Sequence, residues 1–481
     1  MAKIIVSSFP LIGRLEEANR MQSFLQSSES ELVLVIGRRR VGKTFLIKKV
    51  YEKNITFHLT GIKNISKSKQ LNNFVEARNE FFPKGKDFKT PTNWLTAFSQ
   101  LKELLGKPTK KKKVIFFDEL PWLCGSSPEC VQVLAHFWNT WAVDNNVVVV
   151  LCGSATTWMI TNIINDTGGL HNRVTQRIYL QPFTLAETEL YFATKKIQLP
   201  RASIVQLYMT FGGIPFYLNE IQNGQTAVQN INAICFGKKA PLYGEFNNLY
   251  QALFKNYQDH LCIIRALAKK WKGLTRAEII TATKLSTGGG LTDTLQELED
   301  CNFVQKQIPF GKKQRETLYR LVDEYSLFYL KFIEDNATQK NYWIKKYSAQ
   351  ETKIWQGFAF ESLCIKHIEG IKIALGIAGI YTEEASFVKQ KNSTSAGCQI
   401  DMLIDRADNA INICEMKYYA SEYTLTEQDI KKLEQKKAIF ETVTKSKKQL
   451  FTTLITANGL YQNKYVGQIN HHFDMNVLFL Y

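Results

Sequence analysis

The chain lacks any apolar run near the roughly 18 residues that a membrane span requires. Its longest strongly apolar candidate, Val147–Cys152, has the length of a buried strand. It also lacks the common signatures of metal and disulfide proteins. Nine cysteines include no CxxC pair, and seven histidines include no HExxH. Cys124 and Cys130 stand six apart, which fits neither a common zinc spacing nor a disulfide framework. The expectation is buried free thiols in a reducing cytoplasm. His471 and His472 are adjacent, so on a strand they would face opposite ways and could not easily share a metal. No repeat of solenoid period and no long low-complexity tract is present. The opening MAKIIVSSFPLIGR has a short apolar run, a proline and an early Arg14, a poor secretory leader. Acidic residues are scarce relative to basic ones. Lysine plus arginine is 61 against 44 aspartate plus glutamate, a formal charge of +17. Such an excess suits a polyanionic partner, although a soluble basic surface without a partner is the plainer alternative.

What is present is ordinary globular composition. Apolar residues make up 45%, charged residues 22% and aromatic residues 12%, which excludes a largely disordered, collagen-like or coiled-coil chain. At roughly 100–200 residues per domain, 481 residues suggest about three domains. In the first 180 residues, strands and helices alternate. Glu31–Ile36, after its acidic start, Val114–Phe117 and Val147–Cys152 are continuous apolar strands, and Thr44–Tyr51 is helical. This pattern predicts a parallel sheet covered on both faces. The cluster Lys110–Lys113 directly precedes an apolar strand and is expected to be a solvated loop. From Leu185 to Tyr250 the pattern is helical, broken by FGGIPF. From Asp259 to Tyr319 two helices around a GGG-containing turn precede a hairpin, NFVQKQ–PFGKK–ETLYRL, which together predict a winged helix. Residues 336–352 are the best linker candidate. From Ile354 a helix, three strand-like segments, a helix and terminal strands follow.

The segment GRRRVGKT, Gly37–Thr44, matches GxxxxGK[ST] after an apolar strand and at the start of a helix. Gly37 and Gly42 allow the backbone to curl so that the N–H groups of Arg38, Arg39, Arg40 and Val41 can surround phosphates at a helix N-terminus. Lys43 would reach the β- and γ-phosphates, and Thr44 would coordinate Mg²⁺. The partner motif VIFFDEL ends a buried strand in two carboxylates, for which few structural explanations exist. Asp118 would hold the Mg²⁺ shell, and Glu119 would polarise the attacking water. In CGSATTWM, Ser154 or Thr156 could sense the γ-phosphate or form only a turn and cap. Arg173 could be an arginine finger, in a neighbouring subunit or in cis, or a plain surface arginine.

The order of FPLIGRLEE, GRRRVGKTFLI, IFFDELPWL, LCGSAT and YLQPF resembles the prokaryotic branch of AAA+-related ATPases that borders the STAND signalling NTPases. The resemblance covers roughly residues 9–330. It implies that Ile12–Arg14 pack near the adenine and that Pro215 of Gly213-Ile214-Pro215 contacts the nucleotide base. No convincing sensor-2 arginine follows, which fits STAND proteins better than ring-forming remodelling ATPases.

Near the C-terminus, QIDMLIDR places Asp401 in a strand, and AINICEMKYY follows after a short turn. Glu415 and Lys417 share parity and so project from one face. Asp401 lies on the adjacent strand of the hairpin, so two carboxylates and a lysine could converge on a sheet edge around Mg²⁺. The metal would hold the scissile phosphate and activate water, while the lysine orients the nucleophile or stabilises charge. A charged surface hairpin with a salt bridge is the alternative. Asp401 with Glu415-x-Lys417 resembles the PD-(D/E)xK nuclease superfamily, which implies an acidic residue on the preceding helix. Glu361 in GFAFESLCIKHI suits that role. The ATPase family named above often carries such a domain.

The winged helix could read a DNA groove, but its second helix carries Asp293, Glu297 and Glu299, which oppose phosphate. Lys312, Lys313 and Arg315 in the wing suit backbone contact better; packing as a lid on the ATPase is the alternative. The fold class expected is α/β, with a P-loop ATPase core (1–184), a helical lid (185–255), a winged helix (256–335) and a restriction-endonuclease-like domain (350–481). The function expected is ATP binding and hydrolysis coupled to a metal-dependent nuclease-like domain acting on nucleic acid, with DNA preferred. The cofactors are ATP and Mg²⁺, the location is the cytoplasm with no membrane partner, and a homo-oligomer is one option. The rivals are a STAND-type oligomerisation switch that binds without cutting, and a DNA-binding regulator acting through the winged helix.

Overall fold

The computed structural model describes residues 10–480 except 84, 86, 87, 126, 166, 167 and 392–396. Most of the stretch read as a poor secretory leader, residues 1–9, lies outside the described residues. No helix among those described is long and apolar enough to cross a membrane. The chain divides into two compact units. One runs to Pro182 and includes Ala252–Lys255; the other comprises Phe183–Gln251 and the chain from Asn256 onward.

In the first unit, five parallel strands form one sheet: β1 (Glu31–Ile36), β2 (Ile55–Thr60), β3 (Lys113–Asp118), β4 (Val147–Gly153) and β5 (Gln176–Tyr179). Their order is β2-β3-β4-β1-β5. Strands β1 and β4 are buried along their whole length, as continuous apolar runs in a doubly covered parallel sheet must be. β4 lies between β1 and β3, with Glu31 opposite Val148 and Val114 opposite Val148 on its other side. The turns after β1, β3 and β4 therefore meet at one end of the sheet, where ligands of open α/β folds bind.

Two expectations fail in this unit. Lys112 and Lys113 are not in a solvated loop. Lys113 starts β3, and the buried Lys112 ammonium donates to the Phe24 carbonyl at 3.0 Å and to that of Glu29. Backbone carbonyls at and beyond the end of helix Leu15–Phe24 take up a charge that composition assigned to water. Cys124 and Cys130 form a disulfide, because the bend between helices Leu120–Cys124 and Pro128–Thr140 brings their Cα atoms to 5.2 Å. Of the seven free cysteines, six are buried as expected and Cys262 is exposed.

The second unit opens with helices, among them Leu185–Thr194, Arg201–Phe211 and Ala227–Cys235. Gly213 lies against Phe183: the Phe183 amide donates to the Gly213 carbonyl at 2.7 Å, and a Cβ on residue 213 would stand 1.8 Å from the Phe183 carbonyl oxygen. Helices Tyr257–Ala268, Arg276–Thr283 and Gly289–Asp300 then pack with a small antiparallel sheet. It comprises β6 (Leu274–Thr275), β7 (Val304–Gln307) and β8 (Leu318–Leu321), in the order β6-β8-β7. The stretch read as a linker instead forms helix Tyr342–Lys346. It buries Trp343 against Phe328, Phe332 and Trp355, because a polar segment carrying large rings still gains by removing them from water.

The remainder is a mixed five-stranded sheet: β9 (Thr382–Lys389), β10 (Cys398–Arg406), β11 (Ala410–Lys417), β12 (Gln449–Thr456) and β13 (His471–Asp474), in the order β13-β12-β11-β10-β9. β9, β10 and β11 are antiparallel neighbours. β11 pairs parallel with β12 through the crossover helix Glu427–Thr444. Helix Gln350–Lys366 packs on β11.

Candidate functional sites

After β1 the backbone turns through Gly37 at φ +152°, where a side chain would strike the Leu180 carbonyl oxygen at 2.3 Å. Gly42 takes φ +93° and caps helix Lys43–Tyr51, an L-residue-hostile conformation at the point where the loop becomes helix. Lys43 is buried, and its ammonium closes the loop by donating to the carbonyls of Gly37 at 2.7 Å and Arg38 at 2.9 Å. Arg38 and Val41 are buried within the loop, and Arg40 takes φ 73°. Arg39 lies over the Trp122 ring, 5.8 Å from its centre. The Thr44 hydroxyl donates to the Asp118 carboxylate at 2.8 Å. These are hard oxygen donors at one point, the chemistry that Mg²⁺ prefers.

Glu119 follows β3 in left-handed backbone, φ 47°. Its carboxylate accepts from the Ser154 hydroxyl at 2.8 Å and the Ser154 amide at 3.2 Å. The neighbouring strand β4 thus delivers Ser154 to the carboxylate that follows β3. Thr156 is buried with its hydroxyl unpartnered among the described residues. Arg173 is exposed and is not drawn into this group. Pro215 opens the short helix Pro215–Leu218 in the second unit.

Residues 11–221 match a family described as an ATPase domain found predominantly in Archaea. The chain carries a P-loop ATPase domain. An uncharacterized protein of Methanocaldococcus jannaschii is 22% identical over 368 residues, covering 73% of this chain and 76% of its own. Among solved structures, a Walker-type ATPase of Pyrococcus abyssi is 19% identical with a TM-score of 0.49, covering 66% of this chain and 96% of its own. The Aeropyrum pernix ORC2 protein, solved with ADPNP and ADP, is 13% identical with a TM-score of 0.44, covering 70% of this chain and 96% of its own.

The second cluster lies on the mixed sheet. Met402 pairs with Cys414, so Asp401 and Glu415 follow at the next position of the same antiparallel pair, where opposed side chains share a face. Because β10 and β11 are inner strands, the group stands on the face of the sheet and not at the expected edge. Glu415 accepts from Lys417 at 2.7 Å and from Lys436 at 2.6 Å, one lysine on each oxygen. Against the penalty of burial, these ammonium groups hold the Glu415 carboxyl below the usual carboxylate range, and Glu415 in turn holds Lys417 up. Lys436, on the crossover helix, therefore belongs to this cluster; its neighbours Lys431 and Lys437 pair with Glu427 and Glu434. Gln399 donates to Asp401.

Glu361 reaches the same group from helix Gln350–Lys366. Burial, then the charges of Asp401 and Glu415, push its carboxyl up to about 8. Asp401 and Glu361 line a cavity of about 40 Å³ with Arg320, Ser362, Ser386 and Gln399. Two carboxylates at one cavity fit a divalent cation's preference for oxygen. Among the described residues, no three His, Cys, Asp or Glu side chains form a ready metal cluster. Protein cations balance the carboxylates instead. Sequence reasoning missed Arg320 and Gln399. Gln399 was discernible, two residues before Asp401 and so on its face; Arg320 lies 81 positions away from Asp401 and carried no local signal.

Proposed function

We propose that the chain couples ATP binding and hydrolysis to a metal-dependent, nuclease-like domain acting on nucleic acid. In the ATPase domain, Lys43 would leave the Gly37 and Arg38 carbonyls for the nucleotide phosphates, Thr44 and Asp118 would hold Mg²⁺, and Glu119 would align the attacking water. Ser154 would keep Glu119 in place until the γ-phosphate arrives. The helices and antiparallel sheet between 256 and 335 suit a winged helix whose exposed Lys313 and Arg315 contact phosphate; Lys312 pairs with Glu316 at 3.0 Å.

The observation that carries the nuclease reading is the convergence of Glu361, Asp401, Glu415 and Lys417 on one face, close enough that Asp401 and Glu415 raise the Glu361 pKa. Mg²⁺ bound by these carboxylates would activate water and hold a scissile phosphate, and Lys417 would stabilise the developing charge. The test is cutting of mixed DNA and RNA by the full chain with ATP and Mg²⁺ or Mn²⁺. Activity that disappears in Lys417→Ala is expected. No cutting by the wild type under any such condition rejects the reading.

One observation favours a rival. Both Glu415 oxygens are already engaged by lysines. A domain that binds without cleaving, under an ATP-driven switch of the STAND kind, needs no metal at that carboxylate. Nucleic-acid binding that persists unchanged in Asp401→Asn, without cutting, would support it.

A further inference from the structure

The small antiparallel sheet and the segment leading into it dock at four points onto the mixed sheet and the two helices that cover it. The Phe310 amide at its tip donates to the Ser386 carbonyl of β9 at 2.7 Å. The Phe310 ring seats against Phe440, 5.2 Å between centres, and Phe440 in turn meets Phe387 at 5.0 Å. At the other end, Trp271 stacks on Phe358 of helix Gln350–Lys366, 5.3 Å apart and within 13° of parallel. Between them, Arg320 of β8 reaches the Ser362 hydroxyl at 3.4 Å and lines the acidic cavity beside Glu361 and Asp401.

We infer that this hairpin is an inhibitory lid and that Arg320 is the cation that occupies the carboxylate cavity in place of a divalent metal. The inference rests on the nuclease-like reading of that cavity. Three observations carry it. About 40 Å³ holds on the order of three waters, too little to take a phosphodiester strand beside the carboxylates while the hairpin is docked. The Arg320 Nε and the Ser386 hydroxyl are buried there without a hydrogen-bond partner among the described residues, so on that edge charge and not a direct bond holds the guanidinium. Finally, a guanidinium cannot shed its proton in a protein, so an incoming divalent ion would meet a fixed like charge at short range. Burial draws the Arg320 pKa down, and the charges of Asp401 and Glu361 oppose that shift, which places the guanidinium in their field. Metal entry then requires β8 to move. The covering strand is the one that lies between β6 and β7, so displacing the small sheet would uncover the cavity.

The experiment measures Mn²⁺ binding to the nucleotide-free full chain by electron paramagnetic resonance, with cutting assayed on the same samples. Arg320→Gln removes the charge, and Phe310→Ala loosens the lid without touching the cavity's charges. Melting curves confirm that each variant folds. Mn²⁺ affinity at least tenfold tighter than wild type is expected in both, with the gain lost on adding Asp401→Asn. Unchanged or weaker Mn²⁺ affinity in a folded Arg320→Gln overturns the inference, even if the protein cuts; should that variant not fold, the same result in Phe310→Ala does so. Tighter Mn²⁺ binding without cutting in any variant leaves the inhibitory cation standing and rejects the nuclease reading instead.

Discussion

Glu119 occupies left-handed backbone, which costs a non-glycine residue about 1–3 kcal/mol and persists where the surroundings enforce it. The amides of Trp122 and Ser154 both point at this residue, to its carbonyl and its carboxylate. Glu119→Gln should therefore keep ATP binding and lose at least about 100-fold in phosphate release; unchanged turnover would reject Glu119 as the base. Ser154→Ala should lower turnover by less than Glu119→Gln does, with nucleotide affinity retained. A second residue sets a pH dependence. His367 accepts the Leu185 amide at 3.0 Å, its other ring nitrogen faces the Leu363 carbonyl at 3.0 Å, and burial holds its pKa down at about 3 against an ordinary 6.5. The neutral form is the one that folds. Stability is full above pH 6.5 and falls as the unfolded chain takes up the proton, by up to about 1.4 kcal/mol per pH unit down to pH 3. Urea titrations from pH 7 to pH 4 should show that slope reduced in His367→Gln. At this scale the phosphate loop, the Asp118-Glu119 pair and Asp401 with Glu415-x-Lys417 stood out because each is a short motif of the chain, whatever the distance to its partners. Lys112 was not, because its carbonyl partners lie more than 80 residues away, and the Cys124–Cys130 bond was not, because only the bend between two helices brings the pair together.

The strands were legible for a plain reason. β1, β3 and β4 carry the continuous apolar runs Leu32–Ile36, Val114–Phe117 and Val147–Cys152, a pattern that only a doubly covered sheet requires. The same logic failed for residues 336–352, where polarity suggested a linker and three tryptophan and phenylalanine contacts instead decide the outcome. Elements also explain the break at FGGIPF. Gly213 is pressed against the Phe183 backbone, which a Cβ would overlap at 1.8 Å. Gly213→Ala should destabilise the second unit by about 1–3 kcal/mol, read as a lowered urea midpoint, since backbone and not a flexible side chain would have to move. An unchanged midpoint would show that the segment yields freely.

For the whole molecule, the +17 charge is distributed less freely than composition suggested. Lys43, Lys112, Lys417 and Lys436 are committed to internal carbonyls and carboxylates. What remains for a polyanion includes exposed groups such as Lys313, Arg315 and Lys432. Binding to DNA should weaken linearly with the logarithm of salt concentration, and Lys313→Ala and Arg315→Ala should each lower that slope by about one if the hairpin contacts phosphate; an unaltered slope would assign the contact elsewhere. The parallel core was readable at this scale from the strand pattern, whereas the docking of the hairpin was not, because nothing local ties Arg320 or Phe310 to a sheet that begins more than sixty residues later. That docking has a consequence for inheritance. Phe310 completes a hydrophobic core whose other members lie on the mixed sheet and its crossover helix, so each segment is an imperfect domain without the other. A recombination event that exchanged the C-terminal sheet alone would leave Phe310 facing water and a gap beside Phe440. The two segments should therefore pass between genomes as one block, with the junction available for shuffling lying elsewhere in the chain.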